Sequence, residues 1–327
     1  MAKPKTRIGA PKKPHLRPHA EKIRAALQGA VRKSAGTLPN DRADRASATL
    51  RESIVKDAAL ADLHPAQAAY LYAVNQVSIL AEIMTTLPAL HRFVDLLERA
   101  EEEYMPSWPP MSPISRSHFT AWAFFDAAVG IDRETIGTLV LDLAPTLSLK
   151  PELTSLVEQL QRSRLGLHVH EGTRDDQVML RELHTGVRRS TVPSNLYFGR
   201  AGEIWLTRVL PPPDASGEAH VALTSPYVIE SPAEAEWLSY FQRTLPKLRA
   251  RDEAEGFERL MKHGLGPNYW NEYIFEGYLR DTDQAIWLRG LPDVAESRPQ
   301  SPTYDRALRF AGRDVNGTTA EHVSKPG

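Results

Sequence analysis

The chain of 327 residues contains no cysteine. Disulfides, thiolate metal sites, iron–sulfur clusters and every cysteine-nucleophile mechanism are excluded together. A Gly-Lys dipeptide is also missing, and with it the phosphate-binding P-loop. Neither a G-x-S-x-G elbow, an H-E-x-x-H helix nor an EF-hand loop occurs. Gly264-Leu265-Gly266 begins a G-x-G-x-x-G pattern, but Tyr269 stands at the third glycine. That segment also follows a predicted helix rather than a strand, the wrong context for a dinucleotide site.

Long apolar runs are lacking too. Residues 65–81 are uncharged, but they carry Gln67, Asn75, Gln76 and Ser78 and end at Glu82, short of the roughly 20 predominantly apolar residues of a membrane span. The stretch MAKPKTRIGAPKKPH is basic and has no apolar core of a secretory signal. A cytoplasmic protein without membrane attachment is expected.

What is present is an ordinary globular composition, 42% hydrophobic and 25% charged, at a length that suggests two domains. Charge is uneven along it. Residues 1–33 hold Lys3, Lys5, Arg7, Lys12, Lys13, Arg17, Lys22, Arg24, Arg32 and Lys33 against Glu21 alone, a net +9, while the remainder carries −10. The pattern is a basic arm on an acidic body.

Helical spacing of Ile23, Ala26, Leu27 and Val31 predicts a helix from His19 to Lys33, and residues 41–60 fit another. Pro65 opens a helical core with Leu71, Val74, Leu80 and Met84 as its stripe. Pro88 interrupts it, and 89–104 resumes through Phe93, Leu96 and Leu97. Four prolines make 105–117 a loop. Phe119, Trp122 and Phe125 then stand at core spacing, and two more helices fall near 132–143 and 151–163. From residue 165 the period becomes two, giving strands at 165–171, 177–184, 187–192, 203–210 and 220–229. Five strands in so short a span suggest a small barrel. Residues 193–202 are too short for the helix of an oligonucleotide-binding barrel, so an SH3-like roll fits better. Ser231-Pro232-Ala233-Glu234 has the form of a capping box. Gly264 ends a further helix, Pro267 opens the next, and Ala285–Leu288 forms a last strand.

The expected class is therefore α+β. A basic, largely disordered arm (1–40) precedes a helical domain (41–164). A five-stranded antiparallel β module, an SH3-like roll or barrel with C-terminal covering helices, follows (165–295), then a disordered tail (296–327).

The most enzyme-like stretch is LGLHVHEGTRDD, residues 165–176. Alternate strand residues share a face, so Leu165, Leu167 and Val169 are expected inside and Gly166, His168 and His170 in solvent. Two imidazoles on one face can chelate a metal, but zinc needs three or four ligands. His184 lies too far along the hairpin to join them. No metal and no cofactor are expected, with His168 and His170 as the alternative metal ligands. Glu272 and Glu276 share a helix face, as an acid/base pair would, but Arg280 four residues beyond Glu276 makes an ordinary surface ion pair the expectation. Pro106, Pro109, Pro110 and Pro113 have the spacing of extended-peptide ligands and equally stiffen a loop.

The functional expectation is a non-catalytic binding or adaptor protein. Its ten arm cations would touch phosphate backbones or an acidic protein surface, or fold back on the body near Glu98–Glu103. The β module would dock a protein partner. The alternative is a hydrolase with its site between the helical and β-rich parts, drawing on His168, His170, Glu171, Asp175 and Asp176.

Overall fold

The computed structural model describes residues 16–34, 60, 63–85, 87–105, 113–194, 197–213 and 219–299. The helix expected over 41–60 (save Leu60), the proline-rich stretch 106–112 and the chain beyond 299 lie outside these residues.

Among them are nine α-helices and eight strands in one α+β arrangement. The first six helices are α1 (Pro18–Ser34), α2 (Pro65–Thr85), α3 (His91–Tyr104), α4 (Arg116–Phe125), α5 (Ile136–Leu143) and α6 (Pro151–Arg162). Proline opens α1, α2 and α6, where the missing N–H is one the first turn leaves unpaired anyway. Ser115 caps α4, and Thr135 and Thr138 cap α5 reciprocally. The helices bury a shared cluster that includes Ile23, Tyr70, Phe93, Phe125, Leu139 and Leu160.

Six strands follow: β1 (Leu165–Arg174), β2 (Gln177–Glu182), β3 (Arg188–Val192), β4 (Ile204–Leu210), β5 (His220–Ala222) and β6 (Tyr227–Ser231). Three helices, α7 (Glu234–Thr244), α8 (Glu253–His263) and α9 (Tyr269–Gly277), precede β7 (Tyr278–Asp281) and β8 (Ile286–Arg289). The sheet order is β1-β2-β3-β5-β4-β6-β8-β7, and a further β1–β4 pairing closes the first five strands into a barrel.

The module is mixed rather than antiparallel, because β3–β5 and β6–β8 run parallel. The reason lies in one segment. Residues 220–229, expected as a single strand, pair with β4 in two pieces, His220–Ala222 against its end and Tyr227–Ile229 against its start. Between the pieces Pro226 has no N–H to give a ladder. The kink lets the first piece close the barrel against β3, while the second leaves it to carry β8 and β7.

The expected capping box at Ser231 does not form. Ser231 stays in the sheet, paired with Arg289 and accepting the N–H of Gly290 at 2.8 Å, so α7 starts only at Glu234. Gly264 ends α8 as expected, at φ +61.

Leu165, Leu167, Leu206 and Tyr227 on the outer barrel face pack with Trp122 of the helical layer and with Trp237, Phe257 and Tyr273 of α7–α9. One hydrophobic cluster thus spans the junction at residue 165. At its seam three charges meet, two of them, Asp126 and Arg208, buried. Asp126 pairs with Arg208, and Lys262 Nζ reaches Asp126 at 3.1 Å. Arg208 and Lys262 also donate to the Ser163 carbonyl at 3.0 and 2.8 Å, fixing the end of α6 against the barrel.

Candidate functional site at the barrel mouth

The second face of β1 is not in solvent. It is the barrel lumen, and His168 and His170 are only 2% and 1% exposed. Alternation tells which residues share a face, but the β1–β4 pairing decides that this face looks inward.

Direct cross-strand pairs place His168 opposite Glu182 and His170 opposite Leu180. Continuing around the ring, Arg189 lies opposite Leu180, and His220 beside Thr191, itself opposite Val178. Residues paired in this way share a face. At one end the lumen opens into a cavity of about 360 Å³ lined by His168, Glu182, Arg189, Val209 and His220, with Ser163 and Arg164 on the rim.

Arg164 is fully occupied. It forks onto Glu258 with two bonds of 2.6 Å and reaches Glu182 at 2.8 Å. Thr185 Oγ1 donates to the other Glu182 oxygen at 2.6 Å. Burial works against the Glu182 carboxylate, but Arg164, Thr185 and the nearby His168 outweigh it and hold its pKa at about 2. His168 moves the other way. Burial lowers its pKa to about 3, Arg189 and Arg164 add to that, and Glu182 offsets only part. Burial, followed by Arg189, also lowers His220. Both imidazoles are therefore neutral at physiological pH.

Two features of the mouth are unsatisfied. The enclosed Nδ1 atoms of His168 and His220 have no hydrogen-bond partner among the described residues. Among the described residues Arg189 makes neither an ion pair nor a side-chain hydrogen bond. Gly166 explains how His168 fits, because a methyl group there would overlap His168 Nε2 and stand 3.2 Å from Glu182 Oε1.

The other candidates are scattered. Glu171 pairs with Arg181 and Arg188 at 2.9 and 2.7 Å, away from His168. Asp175 and Asp176 form the exposed β1–β2 turn. His184 stacks on Phe257 and faces Glu253 at 3.4 Å. Among the described residues no three His, Asp or Glu side chains are placed to hold a metal ion.

The expected surface pair on α9 is overturned. Arg280 belongs to β7, lies over Trp287 and pairs with Glu230 at 3.5 Å. Glu276 is buried and meets Arg298 at 2.7 Å. The helix stops at Gly277, so the i,i+4 geometry never arises.

Of the arm cations, Lys3, Lys5, Arg7, Lys12 and Lys13 lie outside the described residues. Arg17, Lys22, Arg24, Arg32 and Lys33 belong to α1 or its approach. Ala20 and Ile23 bury α1 against the helical layer. Arg17 reaches Asp142 at 3.2 Å, on α5 rather than near Glu98–Glu103. Lys22 is exposed.

Sequence reasoning missed Glu182, Arg189, His220 and Arg164. Counting pairs back from the β1–β2 turn misses Glu182 by one residue, because a bulge between His170 and Gly172 shifts the register. Arg189 and His220 join only when the barrel closes. Comparison of the chain with protein-family models, curated proteins and solved structures finds no match.

Proposed function

We propose that this chain is a non-catalytic binding protein that holds a small anion in the mouth of its barrel. The observation that carries this reading is Arg189, which among the described residues makes no ion pair and lines one cavity with the rings of His168 and His220. A guanidinium without a paired carboxylate, in an open cavity with two imidazole rings, offers charge-assisted bonds to an anion from outside. The cavity falls in the lower range of small-molecule sites, and barrel mouths are a common place for them. Arg208 and Lys262 behind Ser163 share the one carboxylate of Asp126, which leaves a net charge of +1 at the same end of the barrel.

Binding fits the geometry better than catalysis. Glu182 is held ionised between Arg164 and Thr185, so it is no proton donor near neutral pH. His168 Nδ1 lacks the orienting partner that a working general base has.

Thermal unfolding of the full chain in a series of carboxylates, phosphates and sulfates tests the reading. A ligand at one hundred times its Kd adds about 2.7 kcal/mol. At least one anion is expected to raise Tm, and Arg189→Glu to abolish the rise. If no anion stabilises the protein, or if Arg189→Glu responds equally, the reading falls.

A second reading, contact with nucleic acid or an acidic partner through the arm, draws on Lys22, which α1 presents outward while Ile23 anchors the helix. Its test is salt-steep DNA or RNA binding that is lost on removing residues 1–15. A longer truncation would remove Ala20 and Ile23 from the core.

A further inference from the structure

We infer that the group recognised in the mouth is a tetrahedral oxyanion, the terminal phosphate of a small phosphomonoester. This rests on the anion-binding reading above and narrows it.

The donors come from three separate strands around the ring. His168 stands on β1, Arg189 on β3 and His220 on β5, all on the lumen face and all lining one cavity. A neutral imidazole carries one N–H, on either Nδ1 or Nε2. Both Nδ1 atoms are enclosed and unpaired, and an orphaned buried N–H is the rarer, costlier arrangement. The hydrogen therefore belongs on Nε2. For His168 that atom lies over Gly166, the inward residue nearest the Arg164 rim. The mouth thus presents two N–H donors and a free guanidinium from three directions.

The number of oxygens decides between ligands. A carboxylate has only two oxygens, both in one plane, so one of them must serve two donors and a donor out of that plane is poorly aligned. A phosphodiester likewise has two free oxygens. A phosphomonoester has three terminal oxygens, one towards each strand. Glu182 and Glu258 both pair with Arg164, which leaves that trio one negative charge, so the anion is drawn to Arg189 on β3 and no existing pair is displaced. Charge-assisted bonds of this kind are the strong ones. Gly166 supplies the space, since any side chain there would occupy the position of the His168 ring edge.

The test is calorimetric titration of the full chain at pH 7.5 with inorganic phosphate, sulfate, glycerol phosphate, acetate and dimethyl phosphate. Phosphate, sulfate and glycerol phosphate are expected to bind, with acetate and dimethyl phosphate at least roughly tenfold weaker, about one lost charge-assisted bond. Glycerol phosphate tighter than inorganic phosphate supports an organic ester; the reverse order overturns the ester and makes free phosphate the ligand. Nitrogen NMR of the imidazoles gives a readout independent of folding defects. The Nε2–H signals missing from His168→Asn and His220→Asn should move on adding sulfate. If acetate or dimethyl phosphate binds as tightly as sulfate, or if both signals stay still while sulfate binds, the tetrahedral assignment falls and the anion reading stands. If none of the five binds, both fall.

Discussion

His168 and His170 stand two residues apart on one strand, face the same lumen and are buried to the same degree, yet they sit in opposite circumstances. His170 is fully employed. Its Nε2 donates to the Phe198 carbonyl at 2.7 Å, its Nδ1 accepts from Gly172 at 3.1 Å, and its ring packs 5.2 Å from Trp205. Glu203 completes that end by accepting from Trp205 Nε1 at 2.9 Å and Tyr197 at 3.0 Å. At the other end His168 has an unpaired Nδ1 and an open cavity beside it. Burial alone therefore does not separate a structural histidine from an available one; hydrogen-bond satisfaction does.

Removing each ring is the strongest way to break that comparison. His170→Ala should cost about 3 kcal/mol, because it opens a cavity under Trp205 and strands the Phe198 carbonyl and the Gly172 N–H. His168→Ala should cost less than about 1 kcal/mol, since water can enter from the mouth and an unpaired atom is deleted. Urea unfolding of both variants decides it; equal losses would erase the distinction.

A smaller effect sharpens the packing at the open end. Gly166→Ala should destabilise by about 2 kcal/mol by forcing the His168 ring off its seat. In a His168→Ala background most of that cost should vanish, a coupling that a double-mutant cycle reads directly. Additive losses would show that the glycine is needed for some other reason.

The gentlest probe is pH. Burial keeps His118, His168 and His263 neutral in the folded chain down to about 4, 3 and 4, against an ordinary value of 6.5. As pH falls below about 6.5 the unfolded chain takes up these protons and the folded chain does not, so stability is lost. The slope is up to about 1.4 kcal/mol per pH unit for each histidine. Glu182, lowered to about 2, acts in the same direction once the pH falls below its ordinary 4.5. His168→Asn, which stays neutral at every pH, should remove one histidine's share between pH 6 and 4. An unchanged slope would mean that His168 takes up its proton in the folded state too.

Much of the secondary structure was legible locally. Proline at helix starts, Gly264 at a helix end and the switch to period two near residue 165 each act within a few residues. Pro226 was legible as well and went unused, so two strands were expected as one. The capping-box pattern at Ser231 failed because a sheet partner, Arg289, lies 58 residues away in sequence. The Glu276–Arg280 pair failed for the same kind of reason. A helix ended earlier than its surface pattern suggested, and Arg298 from the far end of the described chain took the carboxylate.

Local signals suffice for the α+β class, for the placement of most helices and strands, and for the alternation that sets His168 and His170 on one face of β1. Those properties follow from backbone sterics, capping chemistry and periodicity, all of them short-range. Long-range contacts set which face of β1 is a lumen, which histidine is satisfied, and that Arg164, Glu182, Arg189 and His220 surround one cavity. Closing a barrel joins residues more than 50 positions apart, and the burial that lowers the His168 pKa exists only once it has closed.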